Sequence, residues 1–233
     1  MIFEILNQIA NEGLTTAVMT DLVGLLIALV FGITVHEFGH AAAATWLGDP
    51  MPRRDGRVSL QPAAHLDPMG SLMFVLAGFG WGKPVLVNPY AFRMNPRYGM
   101  AIVAIAGPTM NIILASLVAI VVRLLPLIFG KSLVAIIYAG GPEAILFNLL
   151  NSVIIYNLVL AFFNLIPIPP LDGFSVLMGV LPAEMAEWIR PMQQWGTFLL
   201  LGVLMIDRYI GILGILMSGP IQFFYLLLIR AGS

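Results

Sequence analysis

The sequence predicts an all-α integral membrane protein, a bundle of about five to six transmembrane helices with a short membrane-associated β-hairpin and a re-entrant segment. Of its 233 residues, 60% are hydrophobic and only 10% are charged, whereas soluble domains carry roughly 25% charged residues. Several apolar segments also approach the length of about 20 residues that crosses a bilayer. These observations exclude a water-soluble enzyme, a disordered chain and an electrostatic nucleic-acid binder, so no nucleic acid is expected as a partner.

The membrane-spanning helices are predicted from the apolar segments in chain order. The first segment contains ionisable residues and the third contains none. The last two are separated by Asp207-Arg208, which indicates a helical hairpin. The predicted spans are residues 22–46, 100–129, 144–166, 195–206 and 209–229.

Three other segments are predicted to lie at the membrane surface or part-way into it. Residues 2–20 place apolar side chains near one helical face, interrupted by two glutamates, which is typical of an interfacial amphipathic helix. Residues 70–82 are apolar but short, with closely spaced glycines near their end, and are predicted to be re-entrant. Residues 57–61 alternate weakly after the turn dipeptide Asp55-Gly56, which indicates the β-hairpin.

The distribution of basic residues predicts the orientation of the chain. Residues 48–97 hold six of the eleven Lys and Arg residues, and the positive-inside rule places this stretch in the cytoplasm. If the spans cross the membrane in alternating directions from this stretch, eight basic residues lie on the cytoplasmic side and three on the opposite side. The chain is therefore expected to be a multi-pass integral membrane protein that is surrounded by membrane lipid.

His36, Glu37 and His40 form the pattern H-E-x-x-H inside the first predicted span. On a helix, residues four apart lie one above the other, so both imidazoles can face one Zn²⁺. Glu37 lies near the same face, where it can hold a water molecule and accept its proton. Ionisable side chains are costly at membrane depth and functional by default. This favours a metal site over a helix whose polar residues only hydrogen-bond one another.

A zinc site needs a third protein ligand, and because the chain has no cysteine the candidates are His65 or a carboxylate. Asp172 follows an uncharged span and three prolines, which break the helix and free backbone groups at membrane depth. Alternatively, Asp172 caps a cytoplasmic helix that begins at Gly173. The local sequence leaves both roles open, and the similar predicted depths of His40 and Asp172 favour the ligand.

Five motifs make the chain resemble the site-2 protease family of intramembrane zinc metalloproteases, in its compact branch without a PDZ or CBS domain. The motifs occur in the expected order and nearly span the predicted core. Where the family usually has Asn-Pro, this chain has Gln61-Pro62, a departure that is expected to be minor. The motifs are HEFGH (36–40), GRVSLQPAAHLDPMG (56–70), GFGWGKPVLVNP (78–89), AGPTMN (106–111) and NLIPIPPLDG (164–173).

The resemblance implies roles for individual residues. His36, His40 and Asp172 would bind one Zn²⁺ per chain, and Glu37 would be the catalytic base. Asn164 would help to position the substrate or to stabilise the oxyanion.

Other residues of the motifs are expected to be structural. His65 and Asp67 lie beside the hairpin, where hydrogen bonding is expected rather than catalysis. Pro108 and Asn111 are expected to serve helix packing and polar contact near the site.

The function implied is that of an intramembrane zinc metalloprotease, which hydrolyses peptide bonds within or near the transmembrane helices of substrate proteins. The expected unit is a single domain over 1–233 with a catalytic core at about 22–180. It would lie in a prokaryotic cell membrane with its active site toward the cytoplasm, and a homo-oligomer is left open. The alternatives are a prenyl-protein-processing protease, which would use a glutamate as third ligand, and a metal-binding but proteolytically inactive scaffold or transporter.

Overall fold

The computed structural model describes residues 8–11, 13–77, 80–138 and 140–230 of the chain. The α-helices with described bounds are α1 (Thr16–Leu47), α2 (Met51–Arg54), α3 (Pro68–Ala77), α4 (Pro96–Phe129), α5 (Leu133–Tyr138), α6 (Pro142–Asn164), α7 (Asp172–Val180), α8 (Ala183–Ile189), α9 (Gly196–Ile210) and α10 (Ile212–Arg230). Short 3-10 helices lie at Pro62–Ala64, Pro89–Ala91 and Arg190–Trp195. The described residues contain no strand.

The two longest helices begin and end at residues typical of helix termini. Thr15 precedes α1, and its hydroxyl accepts a hydrogen bond from an N–H of the first turn. Asn95 does the same for α4, with Pro96 at the first helical position, where no N–H is needed. Gly48 and Gly130, both with positive φ, follow the last residues of these helices. The apolar segments therefore set the extent of the helices, and the flanking residues set their ends.

Three helices, α1, α4 and α6, pack against one another and form the core of the molecule. Small side chains allow close approach, since Ala115 and Ala119 are fully buried in one cluster with Ile154 and Leu158. Helix α10 packs against α6 and α4, and α7 packs against α4. Because lipid is as apolar as leucine, this close packing holds the helices together in a membrane more than the hydrophobic effect does.

Four helices in the described part of the chain are long and apolar enough to cross a membrane: α1, α4, α6 and Ile212–Ile229 of α10. The predicted all-α membrane architecture is confirmed, but this count is lower than the expected five to six. Helix α9 has 15 residues, which is shorter than the full span of about 20. The break between α9 and α10 falls at Gly211, with φ of 70°, and not at Asp207-Arg208.

The predicted β-hairpin at 57–61 is not confirmed. Over the described residues of this region, pairing is limited to one antiparallel bridge between Leu66 and Gly82. Side-chain hydrogen bonds take the place of a strand ladder here. His65 bonds the Ser59 carbonyl, and Arg57 donates to the carbonyls of Ala64 and Lys83. Backbone acceptors that are already bonded to side chains do not need a partner strand.

Two further predictions concern segments that are only partly described. Helix α3 covers most of residues 70–82 and has ten residues, too few to cross the membrane, while residues 78–79 lie outside the described part. The re-entrant path stays a prediction. Of the interfacial helix expected over residues 2–20, residues 2–7 and 12 also lie outside the described part, residues 8–11 are helical, and α1 begins within this range at Thr16.

Candidate metal centre

Helix α1 places His36 and His40 side by side on one buried face. Both side chains are buried, and their rings meet edge to face with centroids 4.6 Å apart. The spacing of four residues produces this arrangement, as the sequence predicts. The rings lie directly against Gly107 of α4, where a Cβ atom would be 2.5 Å from His40 Nε2 and 2.9 Å from His36 Cε1. Only glycine leaves room for both imidazoles at this crossing of α1 and α4.

The irregular segment between α6 and α7 brings Asp172 to the two histidines. Prolines follow α6 and stop the helix, and the chain turns so that α7 begins at Asp172. Gly173 permits the tight return, because a Cβ there would lie 2.2 Å from the Leu165 carbonyl oxygen. Asp172 Oδ2 lies 3.0 Å from His36 Nε2 and 3.3 Å from His40 Nε2.

The structure also bears on whether Asp172 acts as a helix cap. It is the first residue of α7, Leu171 is the N-cap residue, and no side chain caps the helix. The carboxylate faces the histidines instead, at a helix N-terminus that favours negative charge. The other end of α7 is fixed by Arg97, whose guanidinium donates to the Gly179 and Leu181 carbonyls at 3.4 and 2.7 Å. Asp172 is therefore held in place from both ends of its helix.

The hydrogen bonds of the two imidazoles leave their Nε2 atoms facing the Asp172 carboxylate. His36 Nδ1 lies 2.7 Å from Asn111 Oδ1, and His40 Nδ1 lies 2.7 Å from the Val103 carbonyl oxygen. Both partners are acceptors, so in the neutral rings Nδ1 carries the hydrogen and Nε2 is free to bind a metal. Asp172 Oδ2 is buried without a hydrogen-bond partner.

The ligand atoms of His36, His40 and Asp172 all lie within 4.8 Å of one another. Two imidazole nitrogens and one carboxylate oxygen form a ligand set that zinc uses in catalytic sites, with a fourth position left for water or substrate. A cation between them would also neutralise the buried carboxylate and satisfy the three lone pairs. These residues therefore fit a divalent metal, and zinc best of the common ones.

Glu37 lies beside this cluster, next to the segment that joins α2 to α4. The Arg57 guanidinium is buried 3.9 Å from Glu37 Oε2 and donates to the carbonyls of Ala64 and Lys83. A Cβ atom at Gly82 would lie 3.3 Å from Glu37 Oε1. Arg57 therefore ties the backbone at Ala64 and at Lys83 to the turn of α1 that carries Glu37.

The remaining residues singled out from the sequence make hydrogen bonds outside the three-residue cluster. Asn164 ends α6 and donates from Nδ2 to the carbonyl four residues earlier at 2.9 Å. His65 is fully buried, its Nε2 lies 2.6 Å from the Ser59 carbonyl, and it does not belong to the three-residue cluster. Asp67 Oδ1 accepts from an N–H in the first turn of α3 at 2.7 Å. His65 and Asp67 thus each hydrogen-bond to nearby backbone, and a purely structural role for them stays a prediction.

Two buried residues contribute to the site although the sequence does not single them out. Arg57 stands among other arginines of a predicted cytoplasmic stretch, where it counts only as a charge that sets orientation. Asn157 is fully buried and accepts a hydrogen bond from Asn111. A polar amide at membrane depth is the signal that could have indicated Asn157, although Asn148, Asn151 and Asn164 of the same span share it.

Comparison with known proteins agrees with this geometry. The model of peptidase family M50 matches residues 24–205. "Putative zinc metalloprotease YwhC" of Bacillus subtilis is 35% identical over 194 residues, which cover 80% of this chain and 83% of that protein. "Putative zinc metalloprotease Rip2" of Mycolicibacterium smegmatis is 33% identical over 194 residues, which cover 79% of this chain and 68% of that protein. No solved structure matches the chain significantly. The chain belongs to peptidase family M50, the site-2 protease family that its motifs indicate.

Proposed function

We propose that this zinc metalloprotease hydrolyses peptide bonds within or near the transmembrane helices of other membrane proteins, with His36, His40 and Asp172 as zinc ligands and Glu37 as catalytic base. The observation that carries the assignment is the convergence, within 4.8 Å of one another, of two imidazole nitrogens and a carboxylate oxygen that has no hydrogen-bond partner. Each imidazole is held in the metal-binding tautomer by a buried acceptor. Membership of a peptidase family supplies the class of reaction.

The protein side chains provide the proton transfers of this reaction. Zinc held by His36, His40 and Asp172 would act as a Lewis acid, which would lower the pKa of water toward about 7 and polarise a carbonyl group. Glu37 accepts a proton from the attacking water and later returns it to the leaving amine. The buried Arg57 guanidinium lies 3.9 Å from Glu37 Oε2, where it can hold the carboxylate in position. Asn164 acts near the scissile bond, where it positions the substrate or stabilises the oxyanion.

The membrane environment restricts the substrate. The candidate ligands lie on α1 and at the start of α7, and α1 is one of the helices long enough to cross the membrane. A transmembrane substrate helix has every backbone group bonded, so it must unwind locally before a carbonyl can be attacked. We place the site toward the cytoplasmic face of a prokaryotic cell membrane, because the basic stretch 48–97 borders the end of α1 that carries His40. The catalytic core, about residues 22–180, contains all these groups.

The test of the proposal compares wild type with Glu37→Gln in the purified full-length chain, reconstituted in lipid vesicles. Glu37→Gln keeps the shape of the side chain and removes the base. It should reduce cleavage of a labelled single-span membrane protein by at least about 1,000-fold while zinc remains bound. Glu187 is exposed and pairs with Arg190. The matched control is therefore Glu187→Gln, which should leave cleavage unchanged.

Three results distinguish the proposal from its alternatives. Undiminished cleavage by Glu37→Gln would remove Glu37 from the catalytic role. A wild-type chain that binds zinc but cleaves none of a panel of single-span proteins would favour a metal-binding scaffold. A wild-type chain that does not bind zinc would overturn the metal assignment itself.

A further inference from the structure

A chain of hydrogen bonds connects His36 to the backbone of α6. His36 Nδ1 donates to Asn111 Oδ1 at 2.7 Å, and Asn111 Nδ2 donates to Asn157 Oδ1 at 2.9 Å. Asn157 Nδ2 in turn donates to the Val153 carbonyl oxygen at 2.8 Å. Asn111 and Asn157 are both fully buried, so water does not offer them alternative partners. This series of hydrogen bonds links α1, α4 and α6 and ends at the Val153 carbonyl oxygen.

Every donor in this series of hydrogen bonds faces an acceptor, and this fixes which way each side-chain amide in the series is turned. The Val153 carbonyl can only accept, so Asn157 must present Nδ2 to it and Oδ1 to Asn111. Asn111 Nδ2 then faces two acceptors, Asn157 Oδ1 and the Gly32 carbonyl oxygen at 2.9 Å. With its amide nitrogen committed to these partners, Asn111 can offer His36 only its oxygen.

The orientation of Asn111 decides which nitrogen of His36 can bind a metal. An oxygen facing Nδ1 requires the hydrogen on Nδ1 and leaves Nε2 with a free lone pair, directed at Asp172. If the Asn111 amide were turned over, its N–H would face Nδ1 and favour the hydrogen on Nε2, where it blocks coordination.

We infer that Asn157 is a positioning residue for the metal centre, which acts through Asn111 to hold His36 in the tautomer and ring orientation that bind zinc. This rests on the proposed zinc site and adds a residue two side chains away from the metal. Groups that orient a metal-bound histidine in this way commonly change metal affinity by about 10- to 100-fold when they are removed. The side-chain hydrogen bonds of Asn157 go to Asn111 and to the Val153 carbonyl, and not to a candidate ligand.

Helix α6 offers a matched control for the test. Asn151 is an asparagine on the same helix, and its Oδ1 accepts from the Tyr225 hydroxyl at 2.8 Å. Asn157→Leu and Asn151→Leu each replace a hydrogen-bonded amide of α6 by an apolar side chain of similar size. The first breaks the chain to His36 and the second breaks a contact between α6 and α10. General loss of helix packing would affect both variants, whereas loss of positioning affects only the first.

The experiment measures the zinc dissociation constant of the purified full-length chain by competition with a chelator of known affinity. Asn157→Leu should weaken zinc binding by about 10- to 100-fold, and Asn151→Leu by less than about threefold. Asn157→Asp keeps an oxygen that accepts from Asn111 but loses the N–H that bonds the Val153 carbonyl, so it should recover only part of the affinity. The visible absorption of Co²⁺ bound in place of zinc should change in Asn157→Leu and not in Asn151→Leu, because it reports ligand geometry.

The outcomes separate this inference from the proposed function. If wild type binds zinc tightly and Asn157→Leu binds it as tightly, the inference is wrong and the zinc site stands. Equal losses in Asn157→Leu and Asn151→Leu would assign Asn157 a packing role and also overturn the inference. If wild type itself does not bind zinc, the proposed function fails. Should Asn157→Leu not fold, Asn157→Ala removes the same hydrogen bonds without adding bulk, and the same criteria apply to it.

Discussion

Helix α6 contributes to two buried regions of opposite character, and adjacent residues belong to each. Asn157 belongs to the ligand network, which consists of His36, His40, Asn111, Asn157 and Asp172. Leu158 belongs to the apolar cluster, in which α4 and α6 pack with neighbouring helices. Both side chains are fully buried. The members of the apolar cluster are Ala115, Ala119, Val122, Leu125, Ile136, Phe147, Ile154 and Leu158.

The two regions differ in how strictly they determine which side chain can stand at each position. The apolar cluster depends on volume, and another apolar side chain of similar size would fill the same space. In the ligand network each hydrogen-bond donor faces defined acceptors, so replacing a member affects the orientation of the next. Burial in the apolar cluster therefore contributes to the stability of the fold, whereas burial in the ligand network fixes the orientation of the metal-binding side chains. Changes in the ligand network should therefore alter metal binding, and changes in the apolar cluster should alter stability.

The largest effect on the ligand network is expected from Gly107→Ala. The added methyl group would lie 2.5 Å from His40 Nε2, so one or both imidazoles must move. Zinc affinity should fall by about 100-fold or more, since ligand geometry tolerates only small displacements. Gly202→Ala in α9, where a Cβ would meet no atom within 4 Å, should leave zinc affinity unchanged. Wild-type affinity in Gly107→Ala, measured by chelator competition, would mean that α4 does not restrict the histidines.

A smaller effect, on catalysis and not on zinc, is expected from Arg57→Met. The substitution removes a charge 3.9 Å from Glu37 Oε2 and releases the carbonyls of Ala64 and Lys83. The value of kcat should fall by about 10- to 100-fold because Glu37 and the adjoining segment lose their fixed geometry. Zinc content should remain that of wild type. The exposed Arg54 provides the control Arg54→Met, and equal rates for the two variants would show that Arg57 does not act on the site.

The smallest effect on the site is expected from Leu158→Ala, next to Asn157. Truncation leaves a cavity in the apolar cluster and should lower the free energy of unfolding by about 2–4 kcal/mol, measured by unfolding in mixed detergent micelles. Zinc affinity should change by less than about threefold, because no hydrogen bond of the ligand network is lost. If Leu158→Ala lost as much zinc affinity as Asn157→Leu, the division between the two regions would be wrong.

The sequence predicts the apolar helices and the two histidines well, because both depend on local spacing. Apolar length determines α1, α4 and α6, and a separation of four residues places His36 and His40 on one face. Apolar composition does not predict α9 correctly, because this helix has 15 residues and is shorter than a full span. The helix count therefore depends on where each helix stops, which composition alone leaves undecided.

Other parts of the site depend on contacts between distant segments, and the sequence could not predict them from local patterns. Whether Asp172 caps a helix or faces the histidines is settled by how the proline segment folds back onto α1. Arg57 becomes a neighbour of Glu37 only because its side chain is buried under residues far along the chain. Asn157 acquires its contact with Asn111 from the packing of α6 on α4. Each of these contacts needs tertiary structure.

The most direct test of the account is metal analysis of the purified full-length wild type beside Asp172→Ala, after dialysis against a weak chelator. Wild type should retain about one zinc per chain, and Asp172→Ala should lose most of it, because two imidazoles alone do not complete a zinc site. Asp67→Ala, which removes a carboxylate that bonds an N–H of α3, should retain zinc like wild type. Unchanged zinc content in Asp172→Ala would contradict the assignment of Asp172 as the third ligand and with it the proposed metal centre.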